Sequence, residues 1–123
     1  MKLKALLIVG IAAWLFTGGT VGADWPMGRH DTWRTSDSAE AVAENLSLRW
    51  WRELPRLTPA YRDNRLQFDA GYEPIVLGKR LFVGSSLDDS VTAFDTETGG
   101  QLWKFFTNGP VRFAPVGGEG RIK

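Results

Sequence analysis

The feature that most constrains this chain is a repetition. Pro74-Ile75, followed after four residues by Arg80-Leu81, returns as Pro115-Val116 and Arg121-Ile122, an offset of 41 residues. Four short β-type runs follow from the first copy: Pro74 to Leu77, Arg80 to Gly84, Ser90 to Phe94 and Gln101 to Phe106. They are separated by Gly78-Lys79, Leu87-Asp88-Asp89 and Thr96 to Gly100. Short runs rich in Val, Phe and Trp and bounded by Gly and Asp are strand signals, and spacers this brief allow only antiparallel hairpins. The expectation is one four-stranded antiparallel meander over residues 73–107, with turns near Gly78, Asp88 and Gly99. Leu81-Phe82-Val83, and Trp103 with Phe105 against Leu102 with Phe106, put apolar side chains on both faces, so the sheet needs cover on both sides.

Four strands followed by a restart match the period of a propeller blade, about 40 to 45 residues. Within that period stands Ala93-x-Asp95-x-x-Thr98-Gly99-x-x-x-Trp103. Ala93 leaves room for a neighbouring ring, Asp95 and Thr98 can bond turn amides, Gly99 suits a positive φ, and Trp103 offers a broad flat surface. The motif resembles the repeat of the pyrroloquinoline quinone (PQQ)-type β-propellers, shared by quinoprotein dehydrogenases and by the propeller lipoprotein of bacterial outer-membrane protein assembly. The resemblance implies that Ala93, Asp95, Thr98, Gly99 and Trp103 dock adjacent blades and do not themselves hold a quinone. Upstream, Asp24-Trp25-Pro26-Met27-x-Arg29-His30-Asp31 and Leu66-Gln67-Phe68-Asp69-Ala70-Gly71-Tyr72-Glu73-Pro74 resemble the opening of large exported PQQ-like repeat proteins. The implied fold class is all-β: a β-propeller fragment of one four-stranded antiparallel blade plus the start of a second, preceded by an irregular arm with a closing strand. The remaining blades of a longer parent are the implied partners, because Lys123 falls inside the expected second strand of blade two.

Residues 1–23 read as an export signal. Lys2 and Lys4 precede the apolar run Ala5 to Phe16, and small residues lead to Val21-Gly22-Ala23, after which cleavage is expected. The run falls short of the roughly 18 apolar residues of a membrane span, and no cysteine follows to anchor a lipoprotein. The expected location is therefore periplasmic or extracellular, with no membrane span after signal removal.

Residues 24–70 form the expected arm. Residues 24–45 are polar, yet Trp25 and Trp33 argue for order, and a short helix is expected over Ser38 to Glu44. The alternation of Leu46, Leu48, Trp50, Arg52 and Leu54 with Ser47, Arg49, Trp51 and Glu53 predicts a strand near 46–54, ended by Pro55. Residues 55–70, with Pro55, Pro59, Asp63 and Asn64, read as a long surface loop. Residues 71–123 then hold blade one and the beginning of blade two.

Composition narrows the function classes. The whole chain carries 15 Lys plus Arg against 14 Asp plus Glu, and loss of Lys2 and Lys4 with the signal leaves 13 against 14, so nothing favours a nucleic-acid partner. No cysteine and a single histidine exclude disulfide frameworks, thiolate metal sites and cysteine nucleophiles. His30-Asp31 is adjacent in sequence, a poor geometry for a base and its orienting carboxylate, and reads as arm packing. Gly84-Ser85-Ser86 lacks the second glycine of a nucleophile elbow. Asp88-Asp89 and Asp95-x-Glu97 lack the spacing of a calcium loop and read as turn residues. Arg49-Trp50-Trp51-Arg52 reads as part of ring closure rather than as a stacking platform for single strands. Asn45-x-Ser47 matches a glycosylation acceptor by pattern alone.

No catalytic, cofactor-binding or metal-ligating residue emerges. The leading expectation is a non-catalytic binding or assembly scaffold with a protein partner. The alternative is the N-terminal fragment of a PQQ-dependent oxidoreductase acting on alcohols or sugars, in which PQQ and calcium belong to the full-length parent. Without neighbouring blades, Leu81, Val83, Phe94, Trp103 and Phe105 are expected to be exposed and to drive association.

Overall fold

The computed structural model describes residues 23–123, so the expected signal segment, up to Gly22, lies outside the described residues. Four strands, β1 (Ile75–Leu77), β2 (Arg80–Ser85), β3 (Ser90–Asp95) and β4 (Gln101–Phe106), form one antiparallel sheet in sequence order. A second hairpin follows, β5 (Gly117–Gly118) with β6 (Arg121–Ile122). The described residues are all-β, and none of them forms a helix long and apolar enough to cross a membrane.

The meander follows from its side chains. Ile75, Phe82, Ala93 and Trp103 lie opposite one another in a row across all four strands. With Val91, the first three make a buried cluster, packed on by Leu77, Val111, Ala114 and Ile122. The stretch after Asn108 thus covers one face of the sheet. The other face holds Val83 and Phe94, which are also buried. Here the arm, with Tyr72 just beyond it, supplies the cover: Leu54, Pro55 and Tyr72 face Val83 and Phe94 across a shared cavity, and the Arg52 guanidinium sits 4.8 Å from the centre of the Phe94 ring. Val83 and Phe94 were expected to be exposed, and the arm overturns that. Trp103 and Phe105 are exposed as expected, at 40% and 63%.

Two arm elements differ from expectation. No strand forms near 46–54: the segment makes no ladder with the sheet and is held by side chains that reach the β3–β4 turn. The alternation of residue types has no counterpart in the contacts: Arg49, Trp50 and Arg52 all reach that turn, while Leu48 and Trp51 stay 81% and 73% exposed. No helix forms over Ser38 to Glu44 either. So short a helix needs tertiary support, yet Val42 is 77% exposed and the Glu40 carboxylate is engaged by the Ala23 amide at 2.6 Å.

The 41-residue repetition is structural. In the first hairpin Ile75 pairs with Phe82, Val76 with Leu81 and Leu77 with Arg80. In the second, Gly117 pairs with Ile122 and Gly118 with Arg121, and Val116 exchanges two main-chain bonds of 2.8 Å with Lys123. Adding 41 to each residue of the first register gives the second. The arm joins the two: Trp25 exchanges main-chain bonds with Val76 (2.8 and 2.9 Å), and the Pro26 carbonyl accepts from the Gly117 amide at 2.7 Å.

Gly117 marks the tightest contact between the sheets, since a Cβ there would lie 2.2 Å from Leu77 Cδ1. Gly117→Val is expected to destabilise the chain by about 1–3 kcal/mol, the usual cost of overpacking, as measured by urea unfolding. A neutral effect would show that the hairpin is not docked on β1.

Candidate interaction surface

Ala93, Asp95, Thr98, Gly99 and Trp103 lie together at one end of the sheet. β3 ends at Asp95, whose Oδ1 accepts from the Glu97 amide (3.0 Å), the Thr98 amide (2.8 Å) and the Thr98 hydroxyl (3.0 Å). The Thr98 amide and hydroxyl hold the Asp95 carboxyl below its ordinary pKa, against a smaller opposing effect of burial. Thr98 Oγ1 in turn accepts from the Gly100 amide at 3.1 Å, and the Gly99 amide donates to the Asp95 carbonyl at 2.8 Å. Gly99 has φ +68°, a left-handed conformation that glycine adopts without steric cost. Ala93 is fully buried opposite Trp103, whose ring packs at 5.7 Å against Phe82.

A second reason for Gly99 is not legible in the motif. A Cβ there would lie 2.6 Å from Trp50 Cδ2. The Trp50 indole lies against the turn and donates from Nε1 to the Thr96 carbonyl at 2.8 Å. Arg52 Nε donates to the Gly99 carbonyl at 2.6 Å, and Arg49 pairs with Glu97 at 2.5 Å. Three of the four residues of Arg49-Trp50-Trp51-Arg52 therefore grip one turn, and their cation–aromatic mixture serves that grip. The signal was present as a cluster in the sequence, but its target lies about fifty residues downstream.

Beyond the turn, every residue of β4 is exposed. Leu102 (49%), Trp103 (40%), Phe105 (63%) and Phe106 (66%) give a strip of large apolar side chains. Trp103 and Phe105 share the face of Ala93 and Val91, and Phe106 lies on the face of Ser90, so large exposed apolar side chains flank this outer strand on both faces, which makes it a candidate interaction surface.

Two cavities flank the sheet. One, about 400 Å³, lies between the arm and the face bearing Val83 and Phe94, with Ser90, Asp88 and Lys104 on its polar side. Lys104 pairs with Asp88, and Ser90 Oγ donates to Asp88 Oδ1 at 2.8 Å. The ammonium of Lys104, followed by the hydroxyls of Ser85 and Ser90, pulls the Asp88 pKa down to about 2. The other cavity, about 840 Å³, is walled by Trp25, Arg29, Arg34, Glu73 and Phe113. Its loop is strained, with Arg29, His30, Arg34 and Ser36 all at positive φ.

The other sequence candidates are dispersed. His30 packs its ring 4.9 Å from Trp25, with Nδ1 buried and without a partner among the described residues. Asp31 instead accepts from the Thr35 hydroxyl (2.6 Å) and amide (3.1 Å), which hold its carboxyl low. Ser85 Oγ accepts from the Leu87 amide at 3.3 Å, within a turn. Asn45 and Ser47 are exposed in irregular chain. Among the described residues no three His, Asp or Glu side chains gather as a metal-binding group.

Sequence reasoning passed over Asp69 as a polar residue in a surface loop, yet it is 1% exposed. Burial pushes its carboxyl up, but the Ala60 amide and the paired Arg112 outweigh that and leave it below the ordinary value. The 55–70 loop is thereby tied to the chain that covers the core, and Phe68 stacks on Phe113 at 5.1 Å beside it.

No family model, curated protein or solved structure matches this chain.

Gly99→Ala is expected to cost about 1–2 kcal/mol for the left-handed backbone, with a further loss from the Trp50 contact. In a Trp50→Ala background the further loss should vanish, so a double-mutant cycle that proved additive would contradict the grip. The lowered carboxyl of Asp88 contributes stability that is full above its unfolded pKa and is lost as pH falls through its folded value. Wild type and Asp88→Asn should therefore differ in melting temperature at neutral pH and converge between about pH 4 and pH 2. A constant difference across that window would remove Asp88 as the titrating group.

Proposed function

We propose that the chain is an exported PQQ-like β-propeller repeat protein that acts as a non-catalytic binding or assembly scaffold. The single observation that carries this reading is the recurrence of one hairpin register 41 residues apart, with both copies contributing to one apolar core. Repeats joined in this way stack by burying the face of each unit on the next, and they use exposed strands and loops for recognition. β4 supplies such a surface. Trp103 and Phe105 offer broad, stiff side chains that gain contact area with little loss of conformational freedom, the kind of residue that anchors protein interfaces. The Asp95–Thr98 turn and the Trp50 clamp hold one end of that strand in place, so its recognition surface is preorganised. Export follows from the leader of residues 1–23.

Titration of the full-length parent with PQQ and calcium tests the reading. A scaffold leaves the melting temperature unchanged, because only a ligand bound by the folded state raises it. A saturable rise would assign the chain to a quinoprotein oxidoreductase instead.

A further inference from the structure

The two edges of the four-stranded sheet are treated differently. At β1 the edge is closed by Trp25, which exchanges two main-chain bonds with Val76. β4 has no strand beyond it among the described residues, contains no proline, and at six residues has the ordinary length of a strand. The Thr107 amide donates to the Asp89 carbonyl at 2.7 Å, which fixes the phase of the β3–β4 ladder. Bonded pairs alternate along an antiparallel ladder, so Phe105 opposite Val91 and Trp103 opposite Ala93 direct their main-chain groups toward β3. Lys104 and Phe106 direct theirs outward. An outer lysine commonly guards such an edge. Here the Lys104 ammonium is paired with Asp88 and lies 5.4 Å from the Phe106 ring, folded back along its own sheet.

We propose that β4 pairs antiparallel with β4 of a second copy of this chain, about a two-fold axis at Lys104, so that two sheets become one. This rests on the scaffold reading and names the partner of its recognition strand. The register follows from the strand itself. Side chains opposed across a two-fold axis share a face only when the axis passes through a residue position. An axis at Trp103 sets Phe105 against Gln101 of the partner subunit and Leu102 against Lys104 of the partner subunit. An axis at Phe105 sets Lys104 against Phe106 of the partner subunit and Trp103 against Thr107 of the partner subunit. Only the axis at Lys104 puts Trp103 opposite Phe105 of the partner subunit, twice, with Leu102 beside Phe106 of the partner subunit.

That register also agrees with the phase of the backbone. The outward-directed groups of Lys104 exchange bonds across the axis. Trp103 and Phe105 then occupy non-bonded positions, where opposed side chains come closest and aromatic pairs contribute most. The two Lys104 side chains that meet at the axis are each neutralised by Asp88 of their own chain, which limits their mutual repulsion. Apart from its leader the chain is close to neutral, which leaves little repulsion between copies.

The absence of cysteine makes the test direct. Sedimentation of the chain should give a dimer. At the axis, a thiol introduced by Lys104→Cys lies about 5.5 Å, Cα to Cα, from its mate, within disulfide reach. Gln101→Cys lies six residues off register, roughly 20 Å from its mate at ~3.3 Å per residue. Mild oxidation should therefore link Lys104→Cys and leave Gln101→Cys unlinked. Phe105→Asp changes an exposed side chain, so the monomer fold should persist by circular dichroism while the dimer dissociation constant rises about tenfold or more. A monomer at every concentration, equal linkage of both cysteine variants, or a dimer indifferent to Phe105→Asp would each overturn the pairing. So would a monomer that takes a different protein on β4. A monomer that also ignores PQQ refutes the pairing alone, whereas a PQQ-dependent rise in melting temperature refutes the scaffold reading whatever the assembly.

Discussion

Burying both faces of β3 is the constraint on which the rest of this structure depends. Five of its six residues are buried, including Ala93 and Phe94 on opposite faces, yet the sheet itself can only flank a strand at its edges. Cover must come from other chain, and two unlike pieces supply it. Val111, Ala114 and Ile122 come from the second hairpin and its approach, whereas Arg52 and Leu54 come from the arm. The first is repeat-on-repeat packing. The second is an irregular segment, held by two hydrogen bonds and one ion pair to a turn.

Carboxylates organise the irregular parts. Asp95 collects the amides of its own turn, Asp31 those of the arm loop, and Asp69 joins the long connection to Arg112. Each accepts donors that would otherwise need water, which is how loops without ladder bonds keep a single course in a chain lacking disulfides. Asp88 does the same across a turn, binding Ser90 behind it and Lys104 on the outer strand. Its grip on Lys104 has a second consequence, because it withdraws the one charge on β4 that would keep other strands away. Turn stability and edge accessibility thus depend on the same ion pair.

The meander was legible because its determinants are local. Apolar runs of four to six residues, Gly78 and Gly99 at turns, and Asp95 with Thr98 three residues on all act within a few positions of themselves, and the strands fall where those residues place them. The 41-residue echo was equally legible, since the same residue types at the same spacing reproduce the same register. Trp103, expected to offer its flat face to a neighbouring unit, packs beside Phe82 and is 40% exposed.

The arm was not legible, for a physical reason. Alternation at 46–54 is a pattern of residue types, and it cannot say whether the side chains face a neighbouring strand or a turn some fifty residues away. The hydrogen bonds of Trp50 and Arg52 to Thr96 and Gly99 decided for the turn. Burial of Val83 and Phe94 depended on the same choice, as did the 1% exposure of an aspartate that looks like a loop residue until Arg112 reaches it. The sequence by itself determined the strands, their turns and their repetition, because short-range sterics and hydrogen bonding settle those. Tertiary structure alone decided which face the arm covers and which edge is left open, because those outcomes turn on contacts between residues that the chain holds far apart.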